Sequence, residues 1–218
     1  TSSERATDDD KLRTYRLAQS CTAEYGSIFR AGATVDATIK ANIQAQMAIT
    51  MARVNGIYER DLAVTMIFVG TNDQVIYYGQ GPAYDDYSLD PWTNEWNTKT
   101  AQTIDSQIGV ANYDIGHNFN TTGGGNAGCL GCVCLSTSQT GTHKGRGYTG
   151  RADPTGDPFD VDYVAHEMGH QFNGWHTMNT CSRSGNNTEV EPASGSTIMG
   201  YAGITGATDV QSNSDPYF

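Results

Sequence analysis

The sequence predicts an α+β domain of mixed α/β elements, and two segments carry that prediction. Apolar residues recur every four positions between residues 35 and 58, which indicates one long amphipathic helix. A continuous apolar run at 62–69 follows at once and is typical of a buried strand. The last part of the chain, 177–218, has no clear period and is rich in Gly, Ser, Thr and Asn, so we expect it to fold as loops.

The other elements follow in chain order. Three further segments are predicted as strands: 12–21, 75–78 and 113–119. A second helix is predicted at 93–108, after a loop at 79–91. Its glycines make segment 123–135 too flexible for a central strand, so an edge strand is expected there. The segment 141–156 is expected to be a loop, and no repeat or linker divides the 218 residues into separate domains.

Composition argues against two classes of partner. The formal net charge is −11, with only 13 Lys and Arg residues. Nucleic acids and anionic membrane surfaces both require a basic face, so we expect neither as a partner. The chain has no apolar stretch of about 18 residues that could span a membrane. It begins with polar residues, which fit a processed N-terminus.

Residues 166–176 hold three histidines at the spacing of a metal site. His166 and His170 are one helical turn apart, so on a helix both imidazoles leave the same face. His176 follows where a straight helix would carry it to the wrong side. Asn173 and Gly174 accept the left-handed backbone angles of the turn that is needed. Three neutral imidazoles plus a water molecule form the open type of zinc site.

Two further features accompany the histidines. Glu167 follows the first of them, where its carboxylate can lie beside a metal-bound water without binding the metal. Met199 stands downstream in a Gly/Ser-rich setting. A long zinc motif followed by such a methionine is the signature of the metzincin metallopeptidases. The expected glycine of that motif is replaced here by Asn173, which tolerates the same backbone region at modest cost.

The helix that carries the motif has its own start signals. Asp157 is predicted to cap it, Pro158 suits the first helical position, and Asp160 adds a carboxylate to the first turn.

The odd number of cysteines leaves at least one thiol without a partner in the chain. The five are Cys21, Cys129, Cys132, Cys134 and Cys181. The cluster at 129–134 fits a thiolate metal site or disulfides, and we favour disulfides, as in secreted proteins. A bridge from Cys181 to that cluster is our prediction.

The chain resembles the reprolysin-like branch of the metzincins, the adamalysin clan, and in particular its secreted bacterial members. Beyond the zinc motif and the Met-turn, the resemblance covers several other segments: 12–18, 53–62, 112–117, 156–160 and 211–218. It implies a metzincin (zincin-like) fold with a five-stranded mixed sheet, a backing helix, an active-site helix and a small irregular C-terminal subdomain. Residues 1–218 would form one catalytic domain, with an upper subdomain at 1–174 and a lower one at 175–218.

The resemblance also implies a function. The protein is expected to be a secreted, extracellular zinc endopeptidase, monomeric, made with a propeptide, and acting on protein or peptide substrates. Substrate backbone would add antiparallel to the glycine-rich edge strand. The edge-strand residues expected to bind it are Ala127, Gly128, Cys129 and Leu130.

Individual residues then acquire expected roles. His166, His170 and His176 would hold one catalytic zinc ion (Zn²⁺), and Glu167 would act as general base on the activated water. Met199 would form a floor beneath the imidazoles.

Other residues have two interpretations or a structural one. Tyr201 either contacts the zinc site or packs as a wall of the specificity pocket. His117 and His143 are expected to be satisfied structural or surface histidines. Four aspartates fit either a structural calcium (Ca²⁺) site, which relatives sometimes have, or an acid-rich helix start. They are Asp153, Asp157, Asp160 and Asp162.

Two alternative functions remain open. A catalytically silent metzincin-fold binding module is disfavoured by the intact Glu167 and ligand set. A zinc hydrolase of non-peptide amides is disfavoured by the extended edge strand, because small substrates do not require one.

Overall fold

The computed structural model describes residues 10–79, 95–180 and 186–218. Its centre is a five-stranded sheet in the order β2-β1-β3-β5-β4. The strands are β1 (Arg13–Cys21), β2 (Val64–Phe68), β3 (Ile115–Asn120), β4 (Gly124–Asn126) and β5 (Gly147–Gly150). The first four in sheet order run parallel, and β4 pairs antiparallel with β5. The expected five-stranded mixed sheet is confirmed.

The helices pack on this sheet. They are α1 (Ala23–Phe29), α2 (Asp36–Leu62), α3 (Trp96–Gln107), α4 (Asp157–Phe159) and α5 (His166–Gln171). A π-helical segment, Asp160–Ala165, joins α4 to α5, and we call the whole run 157–171 the histidine helix. None of the helices within the described ranges is both long and apolar enough to cross a membrane.

The long helix α2 builds the main core. Its predicted apolar stripe is buried, with Ile39, Ile43, Met47 and Val54 all fully inaccessible, and it packs against the sheet and the histidine helix. The helix runs one turn further than predicted and ends where Ala63 takes a left-handed conformation, φ 52°. The chain then enters β2 directly, so the predicted strand at 62–69 is confirmed in its central part.

The predicted strand at 75–78 is wrong. Asn72–Val75 forms a short 3-10 helix, and only Ile76 makes an isolated bridge to β1. The side chain of Asn72 explains the difference, because its Oδ1 accepts from Gln19 N–H at 2.7 Å and its Nδ2 donates to Gln19 C=O at 3.1 Å. A side-chain amide thus takes the place of a strand at this part of β1.

Three other local predictions change. The loop expected at 141–156 contains β5, the edge strand expected over 123–135 is confined to β4, and α1 was not predicted. In β5 the glycines are required by close neighbours, since a Cβ at Gly147 or Gly150 would overlap the polar side chains beside it. The second helix was predicted to begin at residue 93, and α3 begins at Trp96. Residues 93 and 94 lie outside the described ranges, as does most of the predicted loop at 79–91.

The start of the histidine helix also differs from the prediction. Gly156, at φ 69°, occupies the N-cap position, and Asp157 is the first helical residue. The Asp157 carboxylate forms a bidentate ion pair with the Arg53 guanidinium of α2, with N···O distances of 2.8 and 2.9 Å, and does not cap the helix. Residues 186–218 are irregular, as expected, with a single short 3-10 helix at Gly206–Thr208 among those described.

His117 is a buried link between the sheet and the histidine helix, so its structural assignment is confirmed. Gln171 donates through Nε2 to the carbonyls of Gly116 and Lys144, which leaves its Oε1 as an acceptor 2.8 Å from His117 Nδ1. The proton of the neutral imidazole therefore lies on Nδ1, and Nε2 accepts from the Thr149 hydroxyl at 2.8 Å.

This histidine predicts a pH dependence of stability. Burial lowers the pKa of His117 from its ordinary 6.5 to about 4. Below pH 6.5 this histidine takes up a proton in the unfolded chain but not in the native chain. The contribution of His117 to the free energy of unfolding is therefore complete above pH 6.5 and is lost as the pH falls towards 4. The loss is about 3 kcal/mol in total. Urea unfolding of the metal-free protein at pH 7 and pH 4.5 measures the part of this loss that has occurred by pH 4.5.

The matched variant for that experiment is His117→Asn, whose amide cannot titrate. It is expected to lose about 2 kcal/mol less stability than the wild type between the two pH values. Equal losses in both proteins would contradict the assignment of the effect to His117.

Candidate metal centre and active site

The three histidines of the motif converge. His166 and His170 leave α5 on one face, and their Nε2 atoms lie 3.2 and 3.0 Å from Nε2 of His176. The ring planes of His166 and His170 are nearly perpendicular, at 86°. One ligand atom from each residue lies within 4.8 Å of the others, and within the described residues this is the group that could hold a metal ion.

The outer nitrogens fix which atoms face inward. His166 Nδ1 donates to the carbonyl of Ile198 at 2.6 Å, and His170 Nδ1 donates to the carbonyl of Gly174 at 2.6 Å. With the proton on Nδ1, each Nε2 presents a bare lone pair towards the third imidazole. Burial, together with the neighbouring His170, lowers the pKa of His166 to about 3, so its imidazole is neutral.

This donor set fits a zinc ion. Three imidazole nitrogens that converge on one point are the protein half of an open zinc site, and neutral imidazole nitrogen is a preferred zinc ligand. Two nitrogens bound to one tetrahedral zinc ion at 2.0–2.1 Å lie roughly 3.3 Å apart. The two measured separations, 3.2 and 3.0 Å, are close to that value. The carbonyls on Nδ1 are the outer partners that hold such ligands in orientation.

The turn that returns His176 to the group uses Asn173 in the left-handed region, at φ 77°. Its N–H donates to the carbonyl of His170 at 2.9 Å, and Gly174 N–H donates to Gly169 at 2.8 Å. The asparagine therefore makes the turn for which a glycine is expected in the motif.

Two substitutions of Asn173 are expected to have opposite outcomes. Asn173→Gly keeps the turn and changes the free energy of unfolding by less than about 0.5 kcal/mol. Asn173→Val forces a β-branched residue into the left-handed region, which costs about 1–3 kcal/mol and displaces His176. Urea unfolding and zinc titration of both variants check this, and a valine variant with wild-type zinc affinity would contradict the account of the turn.

Glu167 lies beside the histidines and faces the edge strand. Its side chain is almost buried, at 8% exposure. A Cβ built on Gly125 of β4 would lie 2.5 Å from Glu167 Cγ and 3.0 Å from Cδ. The absence of a side chain at Gly125 therefore leaves the space that the glutamate occupies.

Met199 lies against the turn of the motif. It is 4% exposed, and a Cβ on Gly169 or Gly174 would approach its Sδ to 2.7 or 3.3 Å. The Phe218 ring approaches Gly169 from the same core, so the helix is closely packed there. These contacts are those of a packed support for the helix and the turn that carry the histidines.

Two cavities meet at Glu167. Gly125, Glu167 and Tyr201 line both of them. The first measures about 320 Å³ and includes His166. The second measures about 310 Å³ and includes the other two histidines and the exposed ring of Trp175. A continuous cleft thus crosses the histidine group.

Tyr201 packs on the histidines. Its ring centroid lies 4.7 Å from that of His176 and 5.7 Å from that of His166. The tyrosine therefore lines the cleft beside the histidine group.

The comparison with known families agrees with this site. The family described as Metallo-peptidase family M12B Reprolysin-like matches residues 12–218. The chain belongs to the M12B reprolysin-like metallopeptidases. Members of this family are zinc-dependent, and the group of three histidines is the metal-capable site of this reprolysin-like chain. A search of the curated proteins finds no match to it.

The predicted substrate-binding residues lie beside β4 and not within a strand. Ala127, Gly128, Cys129 and Leu130 follow β4 as a loop and line the second cavity. The strand ends at Asn126 because Gly128, at φ 72°, turns the chain close to Arg146.

Three of the four aspartates of the reprolysin-like chain have separate partners. Asp157 pairs with Arg53, Asp162 accepts from Ser214 N–H at 2.8 Å, and Asp153 accepts from the Thr155 hydroxyl at 2.8 Å. Asp160 is buried at 4% exposure. The described contacts give the calcium interpretation no support.

The described cysteines include one disulfide, between Cys129 and Cys132. This bond removes two of the three thiols from the alternative thiolate metal site. Cys134 is exposed and Cys21 is buried, both as free thiols. Cys181 lies outside the described residues, and so does its predicted bridge.

His143 is also structural, as predicted. Its Nε2 lies 3.2 Å from Asp105 Oδ2, and its Nδ1 accepts from Gly145 N–H at 3.1 Å. Two residues of the site were missed by sequence reasoning: Gly125, which faces Glu167, and Gln171, which joins the histidine helix to the sheet. The position of Gln171 directly after His170 was an available signal, whereas the contact of Gly125 depends on strand pairing.

Proposed function

We propose that the protein is a secreted zinc endopeptidase that hydrolyses internal bonds of protein or peptide substrates, with Glu167 as general base. The observation that carries the proposal is the convergence of three Nε2 atoms, 3.0 and 3.2 Å apart, beside a nearly buried glutamate in a cleft. Membership of the M12B reprolysin-like family supports the same reaction class.

The side chains divide the chemistry between them. His166, His170 and His176 would hold the ion through Nε2. A bound zinc ion would supply a lowered pKa for a water molecule, to about 7, and polarisation of the substrate carbonyl. Glu167 takes the proton of the attacking water and transfers it to the leaving amine nitrogen, so that the amine departs neutral as the C–N bond breaks.

The sheet edge offers a place for extended substrate. β4 is the last strand in the sheet order and lines the cleft through Gly125. An extended peptide that adds antiparallel to β4, and continues along residues 127–130, would bring its backbone past Glu167. Binding by Ala127 to Leu130 is part of the proposal.

Tyr201 is proposed as a wall of the cleft, because its ring packs edge-on against His176 and at a tilt against His166. Tyr201→Phe keeps the ring and is expected to retain kcat within about threefold, since a wall residue contributes to the cleft through its ring and not through a step of the reaction. A fall in kcat of a hundredfold or more, with KM unchanged, would assign the hydroxyl a direct part in the reaction.

Several expectations rest on the resemblance alone and stay proposals. They are secretion, a propeptide in the precursor, a monomeric state, the floor role of Met199, and the division of one catalytic domain at residues 174 and 175. A calcium ion also remains a prediction of the resemblance and has no part in the proposed mechanism.

The function is tested by digestion of an unfolded polypeptide. Zinc-loaded protein is incubated with reduced, alkylated casein, alone, with 1,10-phenanthroline, and after zinc is restored, and the products are analysed by mass spectrometry. We expect cleavage at internal peptide bonds that stops on chelation and returns with zinc. Intact casein in all three samples would favour the silent binding module. Intact casein with hydrolysis of small amides would favour the amidase.

A further inference from the structure

The carboxylate of Glu191 is the centre of a hydrogen-bond network in the C-terminal part of the chain. Its Oε1 accepts from the hydroxyls of Thr177 and Thr197, the second at 2.5 Å. Its Oε2 accepts from the backbone N–H groups of Ser196 and Thr197, at 2.7 and 3.0 Å. Burial by itself raises the pKa of Glu191, whereas the four hydrogen bonds to its carboxylate lower it by more. The pKa therefore lies below its ordinary value, and the group is ionised.

The partners of this carboxylate adjoin the metal centre on both sides. Thr177 directly follows His176 in the chain. Thr197 directly precedes Ile198, whose carbonyl accepts from His166 Nδ1 at 2.6 Å. One carboxylate therefore ties together the backbone next to two of the three histidines, without contacting either imidazole itself.

The local chain is built around the glutamate. Its N–H donates to the carbonyl of Thr177 at 2.9 Å, so the backbone and the side chain of Glu191 hold the same residue. Gly195, at φ 70°, turns the chain over the carboxylate, and a Cβ there would lie 3.1 Å from Glu191 Cδ and Oε2. The carboxylate has little freedom to move relative to Thr177 and Thr197.

We propose that Glu191 is a positioning residue of the metal centre, which holds the Ile198 carbonyl and the His176 backbone in the arrangement that the ion requires. The inference rests on the proposed zinc site and adds to it a residue outside the motif. Partners that orient metal ligands typically change metal affinity by about 10–100-fold when removed. We expect a loss of that size from Glu191→Ala.

The test compares four variants with the wild type. Glu191→Ala removes all four hydrogen bonds. Glu191→Gln can still accept from the two N–H groups through its oxygen and can donate its amide to the two hydroxyls. Thr177→Val removes one hydroxyl only, and serves if the alanine variant does not fold. Asp209→Ala is the matched control, since Asp209 accepts three hydrogen bonds from Thr205 and Gly206, at 2.7–2.9 Å, in the same part of the chain.

Three quantities are measured on each protein: the zinc dissociation constant by chelator competition, the visible spectrum of the cobalt(II) form, and thermal unfolding of the metal-free form. We expect Glu191→Ala to weaken zinc binding by about 10–100-fold and to alter the cobalt spectrum. Glu191→Gln should stay within about threefold of the wild type, and Thr177→Val should lie between the two. Asp209→Ala should lower only the unfolding temperature.

Other results would overturn the inference. If Glu191→Ala keeps the zinc affinity and cobalt spectrum of the wild type, Glu191 does not position the site. The same conclusion follows from Thr177→Val if the alanine variant does not fold. If Asp209→Ala weakens zinc binding as much as Glu191→Ala, the effect is one of general stability. A wild type that binds no zinc would overturn the proposed function together with this inference, whereas either of the other results leaves the proposed function intact.

Discussion

Replacing Glu167 with glutamine is expected to lower kcat by about 10³–10⁴-fold while one zinc ion per chain is retained. The amide has the shape of the carboxylate and cannot accept the proton of the attacking water, and positioned general acid–base groups contribute up to about 10⁴-fold. The three histidines, which are proposed to hold the ion, are unchanged. The measurement is steady-state cleavage of a fluorogenic peptide together with metal analysis of the same sample.

The control for this variant is Glu59→Gln, on an exposed position of α2. It makes the same chemical change away from the cleft and should cleave at the wild-type rate. If Glu167→Gln retains more than about a tenth of the wild-type kcat, the assignment of Glu167 as general base is wrong.

Replacing Gly125 with alanine is expected to lower kcat/KM by about 10–100-fold, again with zinc retained. The added Cβ would lie 2.5 Å from Glu167 Cγ and 2.9 Å from the backbone oxygen of Tyr148. Because the backbone of β5 cannot move easily, the glutamate side chain has to shift. A displacement of about 1 Å at a catalytic group can cost about 10²-fold.

Gly123→Ala is the matched control for that variant. Gly123 lies two residues earlier in the chain, and a Cβ there meets nothing within 4 Å. It should keep wild-type kcat/KM. If Gly125→Ala also keeps the wild-type value, the edge strand does not constrain Glu167 as the distances indicate.

The elements that the sequence predicted well are those with a strong local pattern. The four-residue stripe of α2 and the apolar run of β2 are visible in any window of the chain, and the spacing of the histidines encodes their convergence. Asn173 is a comparable case, because the left-handed conformation that its residue type allows is the one observed, at φ 77°.

The elements that were missed depend on contacts between distant residues. The side chain of Asn72 takes the place of a strand beside Gln19, which no local pattern reveals. Two of the four residues of β5 are glycines, which weaken strands, and the need for Gly147 beside His117 and Gln171 is visible only in three dimensions. Glu191 acts across two separate segments, so its network with Thr177 and Thr197 is visible only in three dimensions.

The central claim is that His166, His170 and His176 hold the catalytic zinc ion. X-ray absorption at the zinc edge, on protein loaded with one equivalent of zinc, tests it most directly. We predict a first shell of nitrogen and oxygen atoms at about 2.0–2.1 Å, with the outer-ring scattering of three imidazoles. A shell that contains sulfur at about 2.3 Å would place the zinc at the cysteines and contradict the claim.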